Sequence, residues 1–193
     1  MSEHGQMVVI SGPSGSGKNT VYEALCKRIP SLAQTVSATT RKPREGERDG
    51  IDYYFLTQAE FIARIETGAF VEYVKYGDNY YGTLRCEIER LIAMDKTVVL
   101  IIEVNGARRI KEMFPTAISV FIMPPSCEAL RRRINQRGEM DEAELFARLK
   151  TAEEEMECRG DFDYCVVNDD LETCIDEIYD IIIKEKKEKK EHD

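Results

Sequence analysis

Three stretches of the chain are near-continuously apolar: residues 7–10, 97–102 and 118–123. Runs of that length without alternation are the mark of strands buried on both faces of a parallel sheet. Between them the apolar spacing turns helical. Val21, Leu25 and Ile29 share one face, as do Leu84, Ile88, Leu91 and Ile92, and Pro30 stops the first of these helices. Further helices are predicted over 106–113, over 126–137 with Leu130 and Ile134 inward, through Leu145, Leu149 and Met156, and through Leu171, Ile175, Ile178 and Ile182. Thr57 and Glu60 form a capping box that opens a helix carrying Phe61 and Ile65, and Gly68 closes it. Asp141 and Glu144 have the same spacing ahead of Leu145. Residues 70–76 alternate like a half-buried strand, and 35–39, 52–56 and 164–167 read as short extended pieces.

Strands alternating with helices predict an α/β domain with a parallel sheet and right-handed crossovers. Two segments break the alternation. Residues 36–81 are strand-rich with a turn at Gly77-Asp78-Asn79, and 126–160 are helical and highly charged. With no repeat and no Gly/Ser linker, both read as flaps on one core formed by 1–35, 82–125 and 161–193. The tail KEKKEKKEHD carries no core-forming residue and reads as a solvated end.

Composition narrows the chemistry. The chain has 193 residues, 42% of them hydrophobic, which suits one domain with a real core. No apolar run approaches a membrane span and no signal sequence is recognisable, so a cytoplasmic protein without membrane partners is expected. The six cysteines show no C-x-x-C pair and read as reduced thiols. The two histidines, His4 and His192, lie near the ends, which argues against histidine acid–base catalysis and a Cys/His zinc site. A net charge of −9 disfavours nucleic acid. An anionic substrate would need a local basic pocket.

Such a pocket has candidates. Gly12, Pro13, Ser14, Gly15, Ser16, Gly17 and Lys18 follow a strand and open a helix. Glycine-rich backbone there turns its N–H groups inward, the helix dipole favours an anion, and Lys18 adds a point charge: the makings of a phosphate loop. The pattern G-x-x-x-x-G-K-[ST] is broken by Asn19, with Thr20 one place late. Arg41 and Arg44 flank Pro43 in the strand-rich flap, and Arg131, Arg132, Arg133, Arg137 and Arg148 lie in the helical one. A planar guanidinium fork suits phosphate, and a solvated basic face is the bland alternative. Glu72 sits between apolar neighbours and has two open readings. It is either a strand-edge side chain facing water, or a carboxylate accepting both N1–H and N2–H₂ of a guanine.

GPSGSGK, S-A-T-T-R-K-P-R-E-G-E at 37–47, D-Y-Y-F at 52–55, F-V-E-Y at 70–73, G-D-N-Y-Y-G-T at 77–83, P-P-S at 124–126, R-x-x-x-R-G at 133–138 and V-N-D-D at 167–170 together resemble guanylate kinase, in order, over about 7–183. The resemblance implies a P-loop core, a GMP-binding insert (36–81) and a helical lid (126–160). It also implies phosphorylation of GMP, and of dGMP through the same base, by ATP with Mg²⁺. Gly12 to Thr20 would hold the ATP phosphates, with Asn168 near the adenine. Ser37, Glu72 and Thr83 would read guanine, with Glu103 on the guanine side or orienting Mg²⁺ waters. Arg41, Arg44, Tyr53 and Tyr81 would clamp the GMP phosphate. Lys18, Arg41, Arg133, Arg137 and Arg148 would serve the transferring phosphoryl group. Two positions depart from the family: Asn19 replaces a metal-binding hydroxyl, and Ile101 stands where the family usually has a second acid. No firm metal ligand is therefore assigned; Mg²⁺ would be held through phosphates and waters near Asn19 and Glu103. An inactive, guanylate-kinase-like phosphopeptide-binding module is the alternative. The oligomeric state is not set by the sequence.

Overall fold

The computed structural model describes residues 6–135 and 142–192. A five-stranded parallel sheet has the order β2-β7-β1-β8-β9, made of Leu32–Gln34, Thr97–Ile101, Met7–Ser11, Ile118–Met123 and Tyr164–Val167. Alternate residues of β1 serve two cores, as strand pleating requires. Val8 and Ile10 pack with Val21 and Leu25 of α1 (Lys18–Arg28) and Ile175 and Ile178 of α7 (Leu171–His192). Met7 and Val9 pack with Ile88 and Leu91 of α3 (Arg85–Ala93) and Ala107 and Ile110 of α4 (Val104–Met113). Helices thus cover both faces, and the apolar runs of β1, β7 and β8 follow from burial on both sides.

A second sheet has the order β4-β3-β6-β5, formed by Tyr54–Phe55, Ser37–Thr39, Asn79–Leu84 and Phe70–Tyr76. Helix α2 (Gln58–Glu66) covers it through Phe61, whose ring stacks on Phe70 at 4.2 Å. The Thr57–Glu60 capping box is formed in both directions. Helices α5 (Cys127–Asn135) and α6 (Glu142–Glu157) pack through Leu130, Ile134, Leu145 and Ala152.

Several elements differ from the expectations. Strand β2 was not foreseen: it is three residues long and only Leu32 is buried, too little for a periodic signal. The strand expected over 52–56 shortens to β4. In β5 the alternation breaks, because the register against β6 jumps from Phe70↔Leu84 to Glu72↔Thr83. The extra residue is a bulge, which re-aims the strand so that Phe70, Val71 and Glu72 are all buried while Tyr76 is exposed. The charged tail, read only as a solvated end, continues α7 as helix to His192; Lys and Glu are good helix formers and make i,i+4 pairs such as Lys184–Glu188. Arg137 and the Asp141 end of the second capping box lie outside the described residues.

Candidate active site

Strand β1 ends on the sheet's C-terminal edge, where the chain from Gly12 to Gly17 turns back into α1. Two glycines are required by close approach. A Cβ on Gly12 would lie 2.3 Å from the Ile122 carbonyl oxygen of β8, and one on Gly17 would lie 2.3 Å from Asn168 Nδ2. Both also have left-handed φ, +141° and +95°. Lys18 folds back over this loop, its Nζ donating to the carbonyls of Gly12 (2.5 Å) and Pro13 (3.0 Å). Asn19 and Thr20 are exposed at the start of α1. A cleft of ≈ 330 Å³ opens beside the loop, lined by Gly15, Gly17, Thr20, Arg133 and Asn168 among others.

On the second sheet Ser37, Thr83 and Glu72 stand side by side on β3, β6 and β5. Of the two readings of Glu72, the side chain facing water is excluded: it is 4% exposed. Thr83 Oγ1 donates to its Oε1 at 2.7 Å. Burial pushes the Glu72 carboxyl above the usual range, and the nearby charge of Glu103 adds to this, against the Thr83 hydrogen bond. Glu72 Oε2 lies against Gly106 of α4, where a Cβ would approach it to 3.0 Å. The carboxylate therefore sits at the seam between the two sheets. Glu103, at the N-cap of α4, is half-buried, and burial raises its carboxyl too.

Arg41 forms a second centre. Its guanidinium lies 5.4 Å from the Tyr53 ring centroid and 5.8 Å from that of Phe55, and Tyr53 meets Tyr81 edge-on at 6.3 Å. Nη1 donates to Glu47 Oε2 (2.9 Å) and to the Lys42 carbonyl (2.8 Å), and Nη2 donates to Glu47 Oε1 (2.8 Å). That uses three of five donors and leaves Nε–H and one Nη2–H side by side, a fork suited to two oxygens of a phosphate. Glu47 also accepts the Arg44 backbone N–H at 2.7 Å. Hydrogen bonds from Arg41 and then Arg44 hold its carboxyl at about 2. The Arg44 side chain is exposed.

From the helical flap, Arg133 Nη2 donates to the Asn168 carbonyl at 2.9 Å, while its Nη1 is buried with no hydrogen-bond partner among the described residues. Arg148 is half-exposed and pairs with Glu144 at 2.8 Å. Thus Lys18, Arg133 and Asn168 converge on the loop. Arg41, Tyr53 and Tyr81 form one cluster and Ser37, Thr83 and Glu72 another, with Arg44 and Arg148 at the periphery.

Sequence reasoning gave no role to four residues. Glu47 is in the quoted R-E-G-E turn, but only the fold shows its two-pronged grip on Arg41. Gly106 carries no signal before α4 is seen against β5. Arg109 lies 5.5 Å from the Tyr73 ring centroid, and its charge partly offsets the rise at Glu72. Glu155 of α6 is half-buried and its carboxyl is raised by burial, against the attraction of Lys18.

Among the described residues no group of three His, Cys, Asp or Glu could hold a metal alone. The oxygen donors near the loop, Asn19 and Glu103, suit a hard, water-keeping cation. Ile101 packs into the core beside α1 and α7 and offers it nothing. All six cysteines are free thiols, and no described helix is long and apolar enough to cross a membrane.

Known proteins share the sequence pattern and the fold of this chain. The family model described as guanylate kinase matches residues 4–185. The guanylate kinase of Synechocystis sp. is 46% identical, covering 95% of this chain and 96% of its own. That of Desulfitobacterium hafniense is 41% identical, covering 95% and 92%. The crystal structure of guanylate kinase from Anaplasma phagocytophilum superposes with a TM-score of 0.75 at 34% identity, covering 94% of this chain and 86% of that one. Shikimate kinase from Bacteroides thetaiotaomicron, at 15% identity and a TM-score of 0.52 over 92% and 98% of the two chains, shares the fold. With a matching family model over nearly its whole length, the chain belongs to the guanylate kinase family.

Proposed function

We propose that this chain transfers the γ-phosphoryl group of ATP to the phosphate of GMP, giving ADP and GDP, and that it accepts dGMP through the same base contacts. The observation that carries the reading is the buried Glu72 beside Thr83 and Ser37, set across a seam from a phosphate loop. A carboxylate that accepts N1–H and N2–H₂ together selects guanine, since adenine presents an acceptor at N1.

Gly12 to Thr20 bind the ATP phosphates, with Lys18 leaving its loop carbonyls to meet them, and Asn168 lies on the adenine side. Arg41, Arg44, Tyr53 and Tyr81 clamp the GMP phosphate. A GMP phosphate oxygen attacks Pγ, and the bond from Pγ to the β–γ bridging oxygen breaks. The nucleophile is already an oxyanion near neutral pH, so no general base is needed. What the protein supplies is alignment and positive charge. Lys18 and Arg41, joined by Arg133, Arg137 and Arg148 as the lid closes, provide the charge, and closure keeps water from taking the phosphoryl group. Mg²⁺, when bound, would neutralise phosphate charge, and Asn19 and Glu103 would orient its waters.

The corresponding division is a core of 1–35, 82–125 and 161–193, a GMP-binding insert of 36–81, although β6 is continuous across 81 and 82, and a lid of 126–160. Free thiols fit a cytoplasmic setting. No observation favours the phosphopeptide-binding alternative. A coupled assay of ADP release with each nucleoside monophosphate tests the reading. GMP should exceed AMP, CMP and UMP by at least about 10²-fold in kcat/KM, and equal turnover of AMP and GMP would sink it.

A further inference from the structure

Asn168 is 5% exposed and is tied to three separate elements. Its backbone N–H donates to Met123 at the end of β8 (2.8 Å), and its own carbonyl accepts Arg133 Nη2 from α5 (2.9 Å). Its side-chain Nδ2 donates to the Ser16 carbonyl in the middle of the loop at 2.8 Å. A backbone carbonyl only accepts, so the amide nitrogen must face it. The same nitrogen occupies the space that a Cβ on Gly17 would take, 2.3 Å away. The glycine and the asparagine are therefore a matched pair: the loop can close over the amide only where it has no side chain.

We infer that Asn168 is a positioning residue for the triphosphate: its side-chain amide holds the Gly15-Ser16-Gly17 turn in the phosphate-binding shape, and its carbonyl holds Arg133 beside it. A loop whose N–H groups must converge on one anion depends on having its carbonyls engaged elsewhere, because a peptide unit that rotates turns a donor into an acceptor. The Ser16 peptide is open to that loss, since the residue is buried and Asn168 supplies the side-chain partner of its carbonyl. This role is separate from contact with the adenine, and it rests on reading the cleft as the ATP site.

Inorganic tripolyphosphate with Mg²⁺ is the discriminating probe, because it has no base. Binding is measured by calorimetry to the full chain and to the Asn168→Asp and Asn168→Ala variants, with GMP binding as the control for folding. Both variants should bind tripolyphosphate at least about 10-fold more weakly while GMP affinity changes less than 2-fold. Turnover should fall by similar factors with ATP and with purine riboside triphosphate, which lacks the 6-amino group. Unchanged tripolyphosphate binding, or a loss confined to ATP, overturns the inference. Should both variants lose GMP binding as well, side-chain amide exchange in the unaltered protein decides. The Asn168 NH₂ protons should exchange far more slowly than those of exposed Asn19, and equal rates overturn the assignment. A chain that binds tripolyphosphate in an Asn168-dependent way yet fails to phosphorylate GMP would refute the kinase reading alone.

Discussion

At the scale of single residues, one carboxylate and one lysine have separable consequences. Lys18→Ala should lower the rate by about 10³-fold, roughly 4 kcal/mol of transition-state stabilisation, in a steady-state assay. Under the proposed function, Glu72 gives up stability in exchange for selectivity. Its folded pKa is raised, so between the ordinary glutamate range and that raised value the folded chain binds more protons than the unfolded one, and stability falls as pH rises through that window. Glu72→Gln should flatten this fall and raise the melting temperature at neutral pH, while lowering kcat/KM for GMP by on the order of 10²-fold. For the same reason KM for GMP should rise as pH drops through the raised pKa, because the protonated carboxyl loses one of its two acceptor roles. A pH-independent KM would contradict this.

At the scale of elements, the seam between α4 and β5 is the place to test. Gly106→Ala would set a methyl 3.0 Å from Glu72 Oε2 and 3.4 Å from Ile102 Cδ1. Alanine is the better helix former, so the variant should fold normally and raise KM for GMP by about 10-fold with little change in KM for ATP. Strands β1, β7 and β8, the phosphate loop and the capping box of α2 were legible because each rests on local chemistry: unbroken apolar runs, glycines before a lysine, Thr57 three residues before Glu60. What escaped depends on distant partners. Three-residue β2 exists because β7 lies beside it. The burial of Glu72 depends on a bulge that only pairing with β6 defines. Glu47 became meaningful only when the turn folded it onto Arg41. For Asn168 the motif was visible, but its bond to Ser16 joins residues 152 apart.

At the scale of the molecule, Glu87 ties the two sheets together. It is 2% exposed at the start of α3, directly after β6. It accepts Tyr54 Oη at 2.8 Å, the Val36 N–H at 3.3 Å, and Arg90 Nε and Nη2, each at 3.0 Å. Burial pushes its carboxyl up, yet these donors, Arg90 foremost, hold it below the usual range. Glu87→Gln removes the charge that four donor groups from three residues share. It should lower the melting temperature by on the order of 5 °C and leave discrimination between GMP and AMP within about 2-fold, read by calorimetry and the coupled assay.

The position of β1 in the five-stranded sheet reaches beyond catalysis. It has a neighbour on either side, so its amides can exchange hydrogen with solvent only when the whole sheet comes apart. The root of the phosphate loop is thus among the last parts of the chain to open, while the four-stranded sheet, with its two-residue edge strand β4, can open piecemeal. A nucleotide held by the loop therefore slows exchange in β1 only through mass action on global unfolding, rising with the logarithm of its concentration. A ligand on the four-stranded sheet should instead protect amides locally, well before any global effect is measurable.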